Sequence, residues 1–85
     1  MSTKEKLINR FLGRPKDFTY DELKKLMNLL GYKEVSGGKT SGSRVAFINS
    51  YTDHIIRLHK PHPENELKQY QIKLIINELN EKGII

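Results

Sequence analysis

With 85 residues, 36% of them hydrophobic and none of them tryptophan, the chain has room for one domain and little core to spare, so a partner covering part of its surface would stabilise it. Fifteen Lys and Arg against ten Asp and Glu give a formal charge of +5, which favours a polyanion such as nucleic acid, although solvated lysines alone explain the same charge. The absence of cysteine excludes disulfides and thiolate zinc sites, and no apolar run reads as a signal peptide or membrane span, so the expectation is a cytoplasmic chain with no membrane partner.

Leu7, Ile8, Phe11 and Leu12 recur at helical spacing and predict a short amphipathic helix over residues 3–12, closed by Gly13-Arg14-Pro15. Thr19 followed by Glu22 is a capping box, in which the hydroxyl accepts from a first-turn amide and the carboxylate reaches back. Leu23, Leu26, Met27 and Leu30 then make one apolar stripe facing the core, and Gly31 ends the second helix where a left-handed residue is needed. From Tyr32 the period drops to two. Tyr32 to Val35 predicts a short strand, the segment from Ser36 to Gly42 a flexible turn, and Ser43–Asn49 and His54–Lys60 two longer strands joined at Ser50-Tyr51-Thr52-Asp53. Pro61 and Pro63 stop the last strand. Leu67, Ile72, Ile75, Ile76 and Leu79 mark a final helix ending at Gly83. The fold class is therefore α+β, a single domain over residues 1–85 with helices on one face of a three-stranded antiparallel sheet.

A turn centred between Tyr51 and Thr52 sets Phe47 opposite Ile56 and Val45 opposite Leu58, on the face turned to the core. The same register sets Arg44 opposite His59 and Ala46 opposite Arg57, on the open face. A slip of one residue would bury Arg44 and expose Phe47. Arg44, Arg57 and His59 should then cluster beside the glycine- and serine-rich loop that carries Lys39. Cleavage of RNA without a metal needs a base of near-neutral pKa to take the 2′-hydroxyl proton, and cations to stabilise the charge growing on phosphorus. Histidine and arginine are suited to those two tasks. On spacing alone the simpler reading stands, that these residues solubilise an exposed sheet face. His54, at the turn, is expected to be exposed and idle. Gly38-Lys39-Thr40 resembles the tail of a phosphate-binding loop, but the glycine that such a loop needs earlier falls at Lys33. The carboxylates and histidines form no ligand set, so neither metal nor cofactor is expected.

Three segments in order, Gly31-Tyr32-Lys33-Glu34-Val35, Gly42-Ser43-Arg44-Val45-Ala46-Phe47 and His62-Pro63-Glu64-Asn65-Glu66-Leu67, resemble the HicA toxin family of bacterial toxin–antitoxin pairs. The likeness runs from about residue 18 to the C-terminus and leaves residues 3–12 as an added helix. It implies a double-stranded-RNA-binding-like α-β-β-β-α core, an mRNA-cleaving activity that inhibits translation, and a HicB-like antitoxin as partner. In that family the histidine after Gly-Ser is taken as catalytic. Here Arg44 stands there, and a permanently protonated guanidinium is no base.

Three explanations are open: His59, opposite Arg44 on the next strand, takes over the base role; the chain binds RNA without cutting it; or it belongs to a subfamily with a different target. His62 fits the family's histidine near the start of the last helix and would help hold substrate, so Arg44, His59 and His62 are the candidates for the chemistry. Lys39, Ser43, Arg57 and Lys60 are the expected RNA contacts, with backbone amides of the loop also open to a phosphate. The alternative is a non-catalytic RNA-binding module of the double-stranded-RNA-binding type, which reads shape and phosphates. A helix-turn-helix DNA binder over residues 4–30 is disfavoured, since no third helix precedes the strands. The added helix has three open roles: docking on the helical layer, forming a homodimer, or meeting the antitoxin.

Overall fold

Helix α1 spans Thr3–Leu12 and buries Phe11, with Leu7 and Ile8 packed against the core beside it. Of the roles open to it, the chain uses docking: the Phe11 ring lies 5.0 Å from that of Phe18, and Arg10 reaches over to Glu22 at 2.8 Å and Asp17 at 3.2 Å. The helix ends through Arg14, which takes the left-handed conformation at φ 50°, so the turn of handedness falls on Arg14 instead of Gly13. The structure, a computed structural model, describes residues 3–36, 44–61 and 64–85, and of Ser36 only the backbone. Among these residues no helix is long and apolar enough to cross a membrane.

The capping box forms as expected. The Thr19 hydroxyl accepts from the Glu22 amide at 3.1 Å, and the Glu22 carboxylate accepts from the Thr19 amide at 3.0 Å. Helix α2 follows over Tyr20–Leu29, burying Tyr20, Leu23, Leu26 and Met27. Gly31 closes it at φ 93°, and a Cβ there would stand 3.3 Å from the Tyr51 ring, so both conformation and space ask for glycine.

Strands β1 (Tyr32–Ser36), β2 (Arg44–Asn49) and β3 (Ile55–His59) form an antiparallel sheet in the order β1-β2-β3. The β2–β3 register has Arg44 opposite His59, Val45 opposite Leu58, Ala46 opposite Arg57 and Phe47 opposite Ile56, as the period-two pattern requires. Val45, Phe47, Ile56 and Leu58 are buried with Phe18, Leu23, Leu26 and Met27. Helix α3 (Gln69–Glu81) adds Ile72, Ile75 and Leu79, whereas Leu67 is buried just ahead of it, its amide donating to the Phe18 carbonyl at 2.8 Å. The order is α-α-β-β-β-α, an α-β-β-β-α core with α1 added in front.

A buried polar chain closes the hairpin end of the sheet. Asn49 is buried, and its Oδ1 accepts from the amides of Tyr51 at 2.8 Å and Thr52 at 3.0 Å, shaping the turn. The Tyr32 hydroxyl hydrogen-bonds Nδ1 of His54 at 2.8 Å, and Nε2 of His54 lies 3.6 Å from Glu78 Oε2. Burial holds the Tyr32 hydroxyl above the ordinary phenol range, against the opposing effect of a bond from Asn49, and the charge of Glu78 adds to the rise. The expectation that His54 is exposed and idle is therefore corrected. Its ring is only 9% exposed and ties β1 to α3. Because removing one partner strands the other in a dry site, Tyr32→Phe should cost about 1–3 kcal/mol in a urea titration with an unchanged m-value.

Candidate functional site

Alternation along the strands divides their side chains between two faces. Tyr32, Val45, Phe47, Asn49, Ile56 and Leu58 are buried against the helices. The opposite face carries Lys33 and Val35 from β1, Arg44, Ala46 and Ile48 from β2, and Ile55, Arg57 and His59 from β3. Lys33, Arg44, Arg57 and His59 are all exposed. Facing residues on neighbouring antiparallel strands stand about 5 Å apart at Cβ, so Arg44 and His59 form one pair at the sheet end. Two positions in from it, Val35, Ala46 and Arg57 make the next row on this face.

The sign of this face is set by where the strands place their acid. Glu34, the sole carboxylate in β1, β2 and β3 as described, points to the helical side. There it accepts a hydrogen bond from the Tyr20 hydroxyl and pairs with Lys24 at 3.5 Å. The Tyr20 bond, working against partial burial and helped by Lys24, holds the Glu34 carboxyl below the usual carboxylate range. Burial, then the bond to Glu34 and its charge, push the Tyr20 hydroxyl well above the usual phenol range. Glu34 thus remains ionised near neutral pH and is committed away from the open face. That face offers three cations and an imidazole, with no carboxylate from the described strands to compete for an anion.

Arg44, Arg57 and His59 are brought together. Lys60 is not, since the chain alternates past His59 and its ammonium sits 5.4 Å over the Tyr20 ring, toward the helical side. Lys39, Ser43 and His62, with the Gly42-Ser43 motif, the turn over 37–42 and the Gly38-Lys39-Thr40 segment, lie outside the described residues. Lys33 was not among the expected contacts, though the period of β1 that buries Tyr32 also places Lys33 on the open face. Among the described residues no group of three or more His, Asp or Glu stands close enough to hold a metal ion.

The chemical capacity of the arrangement follows from these parts. Two guanidiniums on adjacent strands can grip non-bridging phosphate oxygens in their planar forks. The imidazole opposite one of them can accept a proton from a hydroxyl close to that phosphate. The described face carries no Phe, Tyr or Trp, so stacking of nucleobases there is limited to the His59 ring and the guanidinium planes, and phosphate contacts would lead the binding.

A family model described as the HicA toxin of bacterial toxin–antitoxin matches residues 20–80, from the first turn of α2 to the last turn of α3. No curated protein and no solved structure matches the chain. Helix α1 lies outside the matched segment.

Proposed function

This chain belongs to the HicA toxin family of bacterial toxin–antitoxin systems, and on that premise we propose that it is an RNA-directed toxin acting in the cytoplasm, a metal-independent endoribonuclease whose site is the open sheet face. The observation that carries the reading is the pairing of His59 with Arg44 across β2 and β3, with Arg57 on the same face and no strand carboxylate beside them.

His59 takes the 2′-hydroxyl proton of a bound ribonucleotide, and the 2′-oxygen attacks the adjacent phosphorus. Arg44 and Arg57 hold the non-bridging oxygens as charge accumulates on them. The bond to the 5′-oxygen breaks and that oxygen takes a proton from water, leaving a 2′,3′-cyclic phosphate and a 5′-hydroxyl. In this scheme Arg44, at the position the family's histidine occupies by resemblance, is a clamp and not a base. Lys39, Ser43 and His62 are proposed as further contacts to substrate. A HicB-like antitoxin presenting acidic side chains would silence the toxin by covering the same cations. The apolar side of α1 is used within the chain, so a homodimer through that helix forms no part of the proposal.

The test is incubation of the protein with end-labelled RNA in EDTA. Fragments ending in 2′,3′-cyclic phosphate are the expected product. RNA left intact but bound with salt dependence would instead support the non-catalytic binding module, the reading that the fixed charge of Arg44 favours.

Salt dependence measures the phosphate contacts directly. Arg44 and Arg57 together should contribute about −1.4 to the slope of log affinity against log salt for single-stranded RNA, at roughly −0.7 per contact, and Lys39 adds to it. Arg57→Ala should reduce that slope by about 0.7 in fluorescence anisotropy titrations. An unchanged slope would place the phosphates elsewhere on the molecule.

A further inference from the structure

Just past the proposed base, a buried side chain from another element holds the end of its strand. Gln71, on the first turn of α3, donates from Nε2 to the His59 carbonyl at 2.9 Å. Its Oε1 accepts from the Lys68 amide at 3.0 Å, the half of a capping box that reaches back to the N-cap backbone. Gln71 is only 6% exposed, and Asn49 is the other buried polar side chain among the described residues. With both ends of its amide bonded to backbone, Gln71 has no free rotation, and it carries the position of α3 to the last residue of β3. Helix α3 is itself fixed by Ile72, Ile75 and Leu79, each fully buried.

The Arg44–His59 pair is the last pair of the β2–β3 register among the described residues, toward the end of the ladder, where opening is easiest. We propose that Gln71 is a positioning residue for cleavage: by holding the His59 carbonyl it keeps the end pair closed and the imidazole at a fixed distance from Arg44. The inference rests on His59 being the base. It adds that the geometry of the base is set from α3, through a residue that touches no substrate. Misplacement of a catalytic group by about 1 Å can cost on the order of 100-fold in rate, so a single hydrogen bond at this point has leverage on the chemistry.

The test compares Gln71→Met, which retains the apolar stem and removes both bonds, with Tyr32→Phe, which removes a buried hydrogen bond at the opposite end of the sheet. Single-turnover cleavage at saturating RNA should fall about 10- to 100-fold in Gln71→Met. Its half-saturating RNA concentration should stay within about twofold of the native value, because Arg44 and Arg57 still bind. Tyr32→Phe, measured where it is folded, should cleave at the native rate.

NMR relaxation of the His59 ring in RNA-free protein supplies a readout independent of activity. The ring should gain mobility in Gln71→Met and be unchanged in Tyr32→Phe. Gln71→Glu, compared at a pH where the carboxyl is ionised, keeps an acceptor for Lys68 and sets a carboxylate oxygen against the His59 carbonyl in place of the donor, so it should mobilise the same ring even if Gln71→Met folds poorly. The inference is overturned if the rate in Gln71→Met falls no further than in Tyr32→Phe, or if the His59 ring moves as in the native chain. His59→Ala separates the two levels. A native rate in that variant defeats the assignment of His59 as the base and the positioning role with it, whereas a dead His59→Ala beside a fully active Gln71→Met defeats only the latter.

Discussion

Replacing His59 by alanine is expected to slow RNA cleavage about 1,000-fold, in the middle of the range that loss of a general base produces. The imidazole stands on the exposed side of β3, so stability should change by less than about 0.5 kcal/mol. RNA affinity should hold, since on the proposed reading side chains other than His59 supply the phosphate contacts. Whatever dependence on pH the deprotonation of the base gives the native rate should be lost in the variant. Arg44→Ala makes the complementary case, because it removes a clamp while sparing the base. Its rate should fall about 100- to 1,000-fold with weakened binding and a preserved pH profile. Arg44→Lys should recover only part of the loss, as an ammonium keeps the charge but lacks the planar fork. Single-turnover kinetics of the three variants at several pH values distinguish base from clamp. Cleavage that survives in His59→Ala would move the base to His62, since His54 is committed to Tyr32 and faces Glu78.

The parts of the molecule that were legible in advance are those governed by local periodicity. Residues 3–12 make one helix, Thr19 and Glu22 form their box, and Gly31 takes a positive φ. The β2–β3 register, which places Arg44 against His59, was set by Val45 and Phe47 needing the same side as Ile56 and Leu58. By the same alternation, with His59 facing outward Lys60 faces the helices, and its ammonium lies over Tyr20. What stayed hidden are buried polar side chains whose partners are distant in sequence. His54 meets Tyr32, 22 positions earlier, and Glu78 on the last helix. Gln71 bonds a carbonyl 12 positions before it. No local pattern announces such bonds, because they exist only once the elements have packed. Gln71 was further masked by its cap, as Lys68 stands where the familiar signature has Ser or Thr.

Phe11→Ala is expected to destabilise the whole domain, although Phe11 lies outside the segment that matches the family. Its side chain is 1% exposed and its ring stacks obliquely on Phe18, itself fully buried between α1 and α2. Truncating a buried phenylalanine costs about 3–5 kcal/mol. Domains in general are stable by only about 5–15 kcal/mol, and small ones bury the least surface. At about 4–8 °C per kcal/mol for a chain of this size, the thermal midpoint should drop by at least roughly 12 °C. The ion pairs that Arg10 makes with Glu22 and Asp17 cannot stand in for that packing. They lie in solvent, where screening and side-chain entropy leave exposed pairs little net value, so Arg10→Ala should shift the midpoint far less. Calorimetry of both variants reads the difference. A single cooperative transition at lower temperature means that α1 is part of the core. Loss of α1 helicity with an unmoved main transition would make it an appendage and leave residues 20–80 to fold alone. In the first case a partner laid over the sheet should raise the variant's midpoint again, since binding to the folded state alone stabilises it by mass action. Destabilised Phe11→Ala would then serve as a sensitive reporter for antitoxin binding, with the shift growing as antitoxin concentration rises.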